Sequence, residues 1–303
     1  MKTVKDYELN PEKSYQKHIN KIMWITVIYM FVFQGVTGLA MWGLRSLHLG
    51  NGSLDGLPYF ISCFLGGLVI YSSSTPLQWK SYFKTGKQKM NIESFAKFAL
   101  FTLAIQFFTG FYTMILNYVM QLFGISILGQ VKSASAGDKT FTLMIYAIVI
   151  APLLEELVFR GYVFRNLEKY NLKLAAVVSA FLFGIYHMNV VQIPFAFLMG
   201  LLLAYIAYNY GFKWAVLFHM FNNGVIGELV QLLNNNWIQF SLVVLQIFAC
   251  FYAIRYFVVN YDKIKAWLHA NRIPKGYLKK AFLNLPCIFI IVVSLVLTYM
   301  TLN

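Results

Sequence analysis

The sequence predicts an all-α protein, a polytopic membrane helix bundle of about 8–9 transmembrane helices. Of its 303 residues, 59% are apolar and only 12% are charged, and the mean hydropathy is +0.62, which excludes an ordinary water-soluble enzyme. Six stretches carry no acidic or basic residue and are long enough for the roughly 20 apolar residues of a bilayer crossing. They lie between Lys21 and Arg45, Asp55 and Lys80, Lys97 and Lys132, Lys173 and Lys213, and Glu228 and Arg255, and after Lys280.

Nine candidate spans are predicted along the chain: 22–44, 57–75, 98–123, 141–158, 174–188, 191–210, 214–232, 237–257 and 282–302. The run after Lys97 is longer than one span needs, which predicts a tilted helix or a short extra helix before Gly129. The run from 174 to 212 would rise about 58 Å as one helix, barely two crossings. It therefore predicts a tight hairpin that breaks near 189–194.

Basic residues predict which ends of the spans face the cytoplasm, because lysine and arginine are retained on that side. If the N-terminus is cytoplasmic, the predicted outer loops hold only Arg45, Lys132 and Lys139, and the other 22 of the 25 basic residues lie inside. We therefore expect a multi-pass protein of the cell membrane with a cytoplasmic N-terminus. The pI of about 9.6 reflects this topology and does not imply nucleic acid as a partner.

Four ionisable residues are predicted to lie within the membrane: Glu155, Glu156, His187 and His219. The other acids and histidines, Glu228 among them, are assigned to loops or span ends. An ionisable side chain in a bilayer costs at least a few kcal/mol, so each residue retained there is a candidate for function.

The spacing of the two glutamates predicts different roles for them. Glu156 and Arg160 are one helical turn apart and can pair, whereas Glu155 points about 100° away and stays free.

The spacing of the histidines adds two more relationships. A hairpin that turns near Asn171 would place Glu155 opposite His187, and His219 lies one turn before Asn223. Straight helices, however, would put His219 about 12 Å beyond the turn near Gly211 and His187 about 22 Å beyond the turn near Asn171, at different depths.

A free carboxylate, two imidazoles and an amide are sufficient for peptide hydrolysis by activated water. The glutamate takes the proton of the water, one histidine orients the water or protonates the leaving amine, and the amide with the other histidine stabilises the oxyanion. The same groups could hold a zinc ion through Glu155, His187 and His219. The sequence leaves these two versions open and predicts no other cofactor.

The block from 152 to 223 resembles the CPBP family, the CAAX proteases and bacteriocin-processing enzymes also called Abi. The family motifs EExxxR, FxxxH and HxxxN stand here as Glu155-Glu156-xxx-Arg160, Phe183-xxx-His187 and His219-xxx-Asn223. Three motifs in order within about 70 residues are specific, although the resemblance covers only about a quarter of the chain.

The resemblance implies an intramembrane endopeptidase whose catalytic cavity opens to the cytoplasm. It implies that Glu155 activates water, that Glu156 and Arg160 are its companions, and that His187, His219 and Asn223 complete the site, with either a glutamate-type or a metal-dependent mechanism. Membrane-bound peptides or proteins would be the substrates, in peptide pheromone or bacteriocin processing or in immunity. The alternative is a non-catalytic membrane scaffold that regulates a sensor kinase or binds a toxin peptide.

The chain is then divided into a cytoplasmic tail 1–21, accessory helices 22–130, a CPBP-like protease core 131–232 and C-terminal helices 233–303. Within the last part, the basic loop 258–280 has Ile264, Trp267 and Leu268 at helical spacing. This predicts a short helix lying on anionic membrane lipid. The oligomeric state is not predicted.

Overall fold

The computed structural model describes residues 11–47, 54–134, 140–233, 235–300 and 302. Residues 1–10 of the predicted tail 1–21, and Lys139 of the predicted outer loops, lie outside these residues. The helices, counted through their π-helical turns, are α1 Pro11–Ser46, α2 Leu57–Ser72, α3 Pro76–Tyr82, α4 Ile92–Leu122, α5 Leu128–Ala134, α6 Phe141–Leu167, α7 Leu172–Tyr186, α8 Gln192–Asn209, α9 212–232, α10 Asn236–Val259, α11 Tyr261–Ala270, α12 Tyr277–Phe282 and α13 Leu285–Met300.

The predicted all-α membrane bundle is confirmed. Within the described ranges the chain forms helices and no strand, apart from one isolated bridge between Thr85 and Gly211. Five helices (α1, α4, α6, α8 and α10) are long and apolar enough to cross a membrane, and α2, α7 and α13 are shorter apolar helices. Each predicted span has a helix at its position. The extra helix, α5, begins at Leu128 and so includes Gly129 instead of ending before it.

The predicted hairpin forms, because polar caps end and restart the helices where the apolar pattern is interrupted. The side chain of Asn171 accepts from the backbone N–H of Leu174 and begins α7. Between α7 and α8, Met188 adopts a left-handed backbone with φ 49°, and Asn189 Oδ1 accepts from the N–H groups of Val191 and Gln192. These bonds satisfy backbone groups that would otherwise be unpaired at a helix start.

Glycines let α7 and α8 approach closely along the hairpin. A Cβ atom at Gly200 would lie 2.8 Å from the Cα of Ala180, and one at Gly184 would lie 3.0 Å from the carbonyl oxygen of Ile193. Small residues at such contacts are the usual means of tight helix packing in membranes.

The core helices α6–α9 lie between two flanking groups. On one side α1, α2 and α13 share an apolar core with α6 and α7. On the other side α4 packs against α8 and α9, and α10 packs along α4, with the rings of Phe101 and Tyr256 5.2 Å apart. This arrangement encloses the motif-bearing helices on both sides.

The segments predicted to be cytoplasmic meet at one end of the bundle. The N–H of Phe212 donates to the carbonyl of Lys84 at 3.1 Å, and Lys84 Nζ lies 3.5 Å from Glu168 Oε1. Asn171 Nδ2 donates to the carbonyl of Arg272 at 3.3 Å. We call this end, marked by Lys84, Glu168, Asn171, Phe212 and Arg272, the basic end.

The segments predicted to be outside meet at the opposite, far end. The N–H of Gly56 donates to Thr142 Oγ1 at 3.1 Å, and Asn189 Nδ2 donates to the carbonyl of Gln130 at 2.9 Å. The hydroxyl of Thr298 donates to the carbonyl of Met188 at 3.1 Å. The structure therefore separates the two groups of loops in the way that the basic residues predict.

The predicted basic amphipathic loop 258–280 contains α11. None of the residues of α11 is buried, and Trp267 and Leu268 are both exposed. The helix predicted from the spacing of Ile264, Trp267 and Leu268 is present, and its contact with anionic lipid stays a prediction.

Candidate active site

The site is centred on α6, which contains two π-helical segments. Its turns Tyr146–Ile150 and Leu157–Phe164 are π-helical, and the α-helical stretch Ala151–Glu156 lies between them. Glu155 and Glu156 end this stretch. π-helical turns are rare and often occur at functional sites.

A third π-helical segment, Asn222–Leu229 in α9, packs against the first one. A Cβ atom at Gly224 would lie 2.9 Å from Cγ2 of Ile148, so the glycine is needed for this close approach. The contact brings Asn222 and Asn223 beside α6.

Glu156 is completely buried and holds two partners. Its Oε2 lies 3.1 Å from Nε of Arg160, which is also completely buried and stacks its guanidinium 4.4 Å from the ring centre of Phe183. Its Oε1 accepts from Nδ1 of His219 at 2.9 Å. The pair predicted from the i, i+4 spacing forms, and the contact to His219 adds a link that the spacing did not show.

Glu155 lies on the other side of His219. Its Oε2 is 3.6 Å from Nε2 of the imidazole, longer than a hydrogen bond. Because Nδ1 of His219 donates to Glu156, Nε2 is the nitrogen that faces the Glu155 carboxylate. The ring thus stands between two glutamates that are adjacent in the sequence.

His187 caps the end of α7. Its Nδ1 donates to the carbonyl of Phe183 at 2.8 Å, which leaves Nε2 for another partner. Among the described residues, no hydrogen bond or ion pair joins His187 to Glu155. The two residues, which the sequence predicts to face each other, line the same cavity without a direct contact. The geometry places His219, and not His187, next to Glu155.

An internal cavity of about 600 Å³ connects these groups. Its ionisable and amide-bearing lining residues on α6, α7 and α9 are Glu155, His187, His219, Asn222, Asn223 and Glu228. Neither Glu156 nor Arg160 lines the cavity, so this buried pair lies behind the lining residues of α6. Glu228, which the sequence assigns to a loop or span end and leaves out of the candidate site, is buried in the π-helical segment of α9 and lines the cavity.

Asn223 is held by a chain of side-chain amides. Gln246 Nε2 donates to Gln106 Oε1 at 3.3 Å, and Gln106 Nε2 donates to Asn222 Oδ1 at 3.4 Å. Asn222 Nδ2 then donates to Asn223 Oδ1 at 2.9 Å, and Asn223 Nδ2 donates to the carbonyl of Ala147 at 3.0 Å. In each of these hydrogen bonds one amide donates to the next, in the order from Gln246 to Ala147. The orientation of each side-chain amide therefore fixes the orientation of the amide that follows it.

Sequence reasoning missed the contribution of α4. Gln106, Thr109 and Thr113 line the cavity opposite α6. Their spacing of i, i+3 and i+7 places them on one helix face, and this polar stripe in an otherwise apolar span is the signal that could have found them.

The residues proposed as zinc ligands do not form a ready metal site. Within the part of the chain that the structure describes, no group of three or more His, Cys, Asp or Glu side chains is arranged to hold a metal ion. Nδ1 of His219 is bonded to Glu156 and Nδ1 of His187 to the carbonyl of Phe183, which leaves Nε2 of each ring as the nitrogen that would bind a metal. The donor types suit zinc, but these side chains are not grouped around a common point in this structure.

The membrane helix bundle thus brings a carboxylate and two imidazoles to the lining of one cavity. Residues 137–225 match the family model described as Type II CAAX prenyl endopeptidase Rce1-like. The match includes all three motifs, so the resemblance to the CPBP family of CAAX proteases is confirmed for this segment. No curated protein and no solved structure matches the chain.

Proposed function

We propose that this protein is a glutamate-dependent intramembrane endopeptidase that cleaves membrane-bound peptides or proteins. The observation that carries the proposal is the position of His219, whose Nδ1 is 2.9 Å from buried Glu156 and whose Nε2 is 3.6 Å from cavity-lining Glu155. The family match supports an endopeptidase of the CAAX-protease type. Membrane lipid surrounds the protein, and the cell membrane is its proposed location, with the N-terminus in the cytoplasm.

In the proposed reaction Glu155 takes a proton from water as the water oxygen attacks the scissile carbonyl carbon. The oxyanion that forms is stabilised by the second N–H of the Asn223 amide. When the C–N bond breaks, the proton passes from Glu155 to the leaving amine. Glu155 is protonated after the first step and ionised again after the second, so one glutamate serves as base and then as acid.

The buried pair behind the cavity wall supports this chemistry. Arg160 compensates the charge of Glu156, and Glu156 then fixes which nitrogen of His219 carries the hydrogen. His187 can orient the attacking water through Nε2, because its Nδ1 is occupied by the carbonyl of Phe183.

The test compares peptide termini in membranes and medium from cells that express the wild type, Glu155→Gln or Glu93→Gln at matched levels. Glu93→Gln is the matched control, since it makes the same change at an exposed position in the first turn of α4. We expect new termini with the wild type and Glu93→Gln, and a loss of about 100-fold or more with Glu155→Gln because the general base is gone.

The same comparison distinguishes a non-catalytic scaffold. A scaffold would bind its sensor kinase or toxin peptide without the base, so Glu155→Gln would keep the cellular function. Identical termini in all three strains, together with full function of Glu155→Gln, would sink the endopeptidase proposal. The termini would also name the substrate and show whether pheromone or bacteriocin processing or immunity is the pathway.

A further inference from the structure

The cavity occupies the half of the bundle that is remote from the basic end. On α6, which runs from the far end to the basic end, the cavity-lining residues are Tyr146, Ala147, Ala151 and Glu155. None of them lies in the eleven residues from 157 to 167 that lead to the basic end.

The neighbouring helices show the same asymmetry. α9 leaves the basic end at Phe212, and its lining residues begin only at His219 and continue to Glu228. α8 runs in the opposite direction, and its lining residues lie between Gln192 and Met199, in the half that is next to the far end. The lining residues of α6, α8 and α9, which do not all run in the same direction, thus agree that the cavity extends toward the far end of the bundle.

The half next to the basic end is filled with side chains. On α6 every residue from 158 to 167 is buried, whereas none from 141 to 150 is. On α9, Phe212 and Phe218 are buried between the cavity and the basic end. Such dense packing leaves no route for a peptide from that side.

The exposed rim of the cavity lies toward the far end. Ser133 of α5 is exposed and Thr113 of α4 is partly exposed, while Glu155 and His219 at the floor are 8% and 5% exposed. The hydroxyl of Ser133 accepts from Asn189 Nδ2 at 2.8 Å, which ties this rim to the far-end turn of the hairpin. Exposure therefore increases from the glutamate toward the far end.

We infer that the catalytic cavity opens to the extracytoplasmic side of the membrane. The retention of basic residues on the cytoplasmic side assigns the basic end to the cytoplasm, and the cavity faces away from that end. This is opposite to the cytoplasmic opening that the family resemblance implies. Resting on the proposed function, the inference also names the substrate class: a peptide segment exposed at the outer membrane surface, such as part of an exported or membrane-anchored peptide.

The test uses single cysteines and a membrane-impermeant maleimide. The background replaces the three buried cysteines, Cys63, Cys250 and Cys287, by alanine. Thr113→Cys and Ser133→Cys report on the rim, and Lys89→Cys and Lys275→Cys report on exposed positions near the basic end. Intact cells or spheroplasts are labelled before and after permeabilisation.

We expect both rim cysteines to be labelled in intact cells without further gain on permeabilisation, and both basic-end cysteines to be labelled only after it. The reversed pattern, or labelling of rim and basic-end cysteines from the same side, overturns the inference. Rim cysteines that remain unreactive after permeabilisation overturn it as well, because the cavity would then not open to water.

Repeating the labelling with Glu155→Gln separates this inference from the proposed activity. The pattern of labelling should be unchanged, since it depends on topology alone, while new peptide termini should disappear. If the labelling is as expected but neither the wild type nor any variant produces new termini, the endopeptidase proposal is wrong. The direction in which the cavity opens would still be established.

Discussion

Nδ1 of His219 lies 2.9 Å from one oxygen of Glu156, and the other oxygen of that carboxylate lies 3.1 Å from Nε of Arg160. The three side chains form a buried line from α9 into α6 across 63 positions of the sequence. Neither Glu156 nor Arg160 lines the cavity, so we infer that both act on catalysis through the imidazole.

Arg160→Ala should destabilise the protein by about 3–5 kcal/mol, because it leaves the Glu156 carboxylate buried without its cation. Combining Glu156→Gln with Arg160→Met removes both charges and should recover most of the unfolding temperature measured in detergent. Cleavage should stay at least roughly tenfold below wild type, because the carboxylate that holds His219 is lost. A double variant that cleaves at the wild-type rate would show that Glu156 does not position the imidazole.

Asn222→Ala should lower kcat by about tenfold with little change in KM. The substitution removes the donor to Asn223 Oδ1, and a buried amide left without its partner costs about 1–3 kcal/mol and loses its fixed orientation. Asn222→Asp separates the two bonds, because it keeps the acceptor for Gln106 and removes the donor to Asn223. Kinetics on a peptide substrate would measure both variants. If Asn222→Asp has wild-type kcat, the amide chain does not orient Asn223.

Gly200→Ala should destabilise the bundle by about 1–3 kcal/mol, because its Cβ would lie 2.8 Å from the Cα of Ala180 on α7. Gly38→Ala on α1 is the control, since no atom lies within 4 Å of a Cβ there. Unfolding can be followed in detergent with a thiol-reactive dye, because the three cysteines are buried. Equal unfolding temperatures for the two variants would contradict the close packing of α7 and α8.

Metal analysis separates the two mechanisms that the motifs allow. We expect purified protein to contain far less than one zinc per chain and a chelator to leave cleavage unchanged, because Glu155, His187 and His219 do not form a metal-binding group among the described residues. Stoichiometric zinc that disappears in His187→Ala would establish the metal-dependent version instead.

The helices could be predicted because a bilayer imposes a simple length and polarity requirement on each one. The hairpin at 189–194 follows from the same requirement, because the uncharged run from 174 to 212 is too long for one bilayer crossing and only just long enough for two. Helix ends were less predictable. α1 begins at Pro11 instead of 22, because a helix can continue past the bilayer wherever its sequence permits.

The site was predictable in composition and less so in geometry. The spacing of Glu156 and Arg160 gave their contact, because both lie on one helix. Straight helices placed His187 and His219 at different depths, yet both line one cavity. Contacts between helices depend on tilt, on close approach at glycines and on π-helical turns, none of which follows from the spacing along a single helix.

The sequence by itself determined that this is an all-α membrane protein, that its basic residues sort to one end and that a carboxylate, two imidazoles and an amide lie within the membrane. These features are local, because charge and apolar length act on each segment separately. Only the tertiary structure decided that His219 stands between the two glutamates, that α4 supplies a polar wall and that the cavity lies away from the basic end. Those properties depend on how helices pack in three dimensions, and residues far apart in the sequence become neighbours only there.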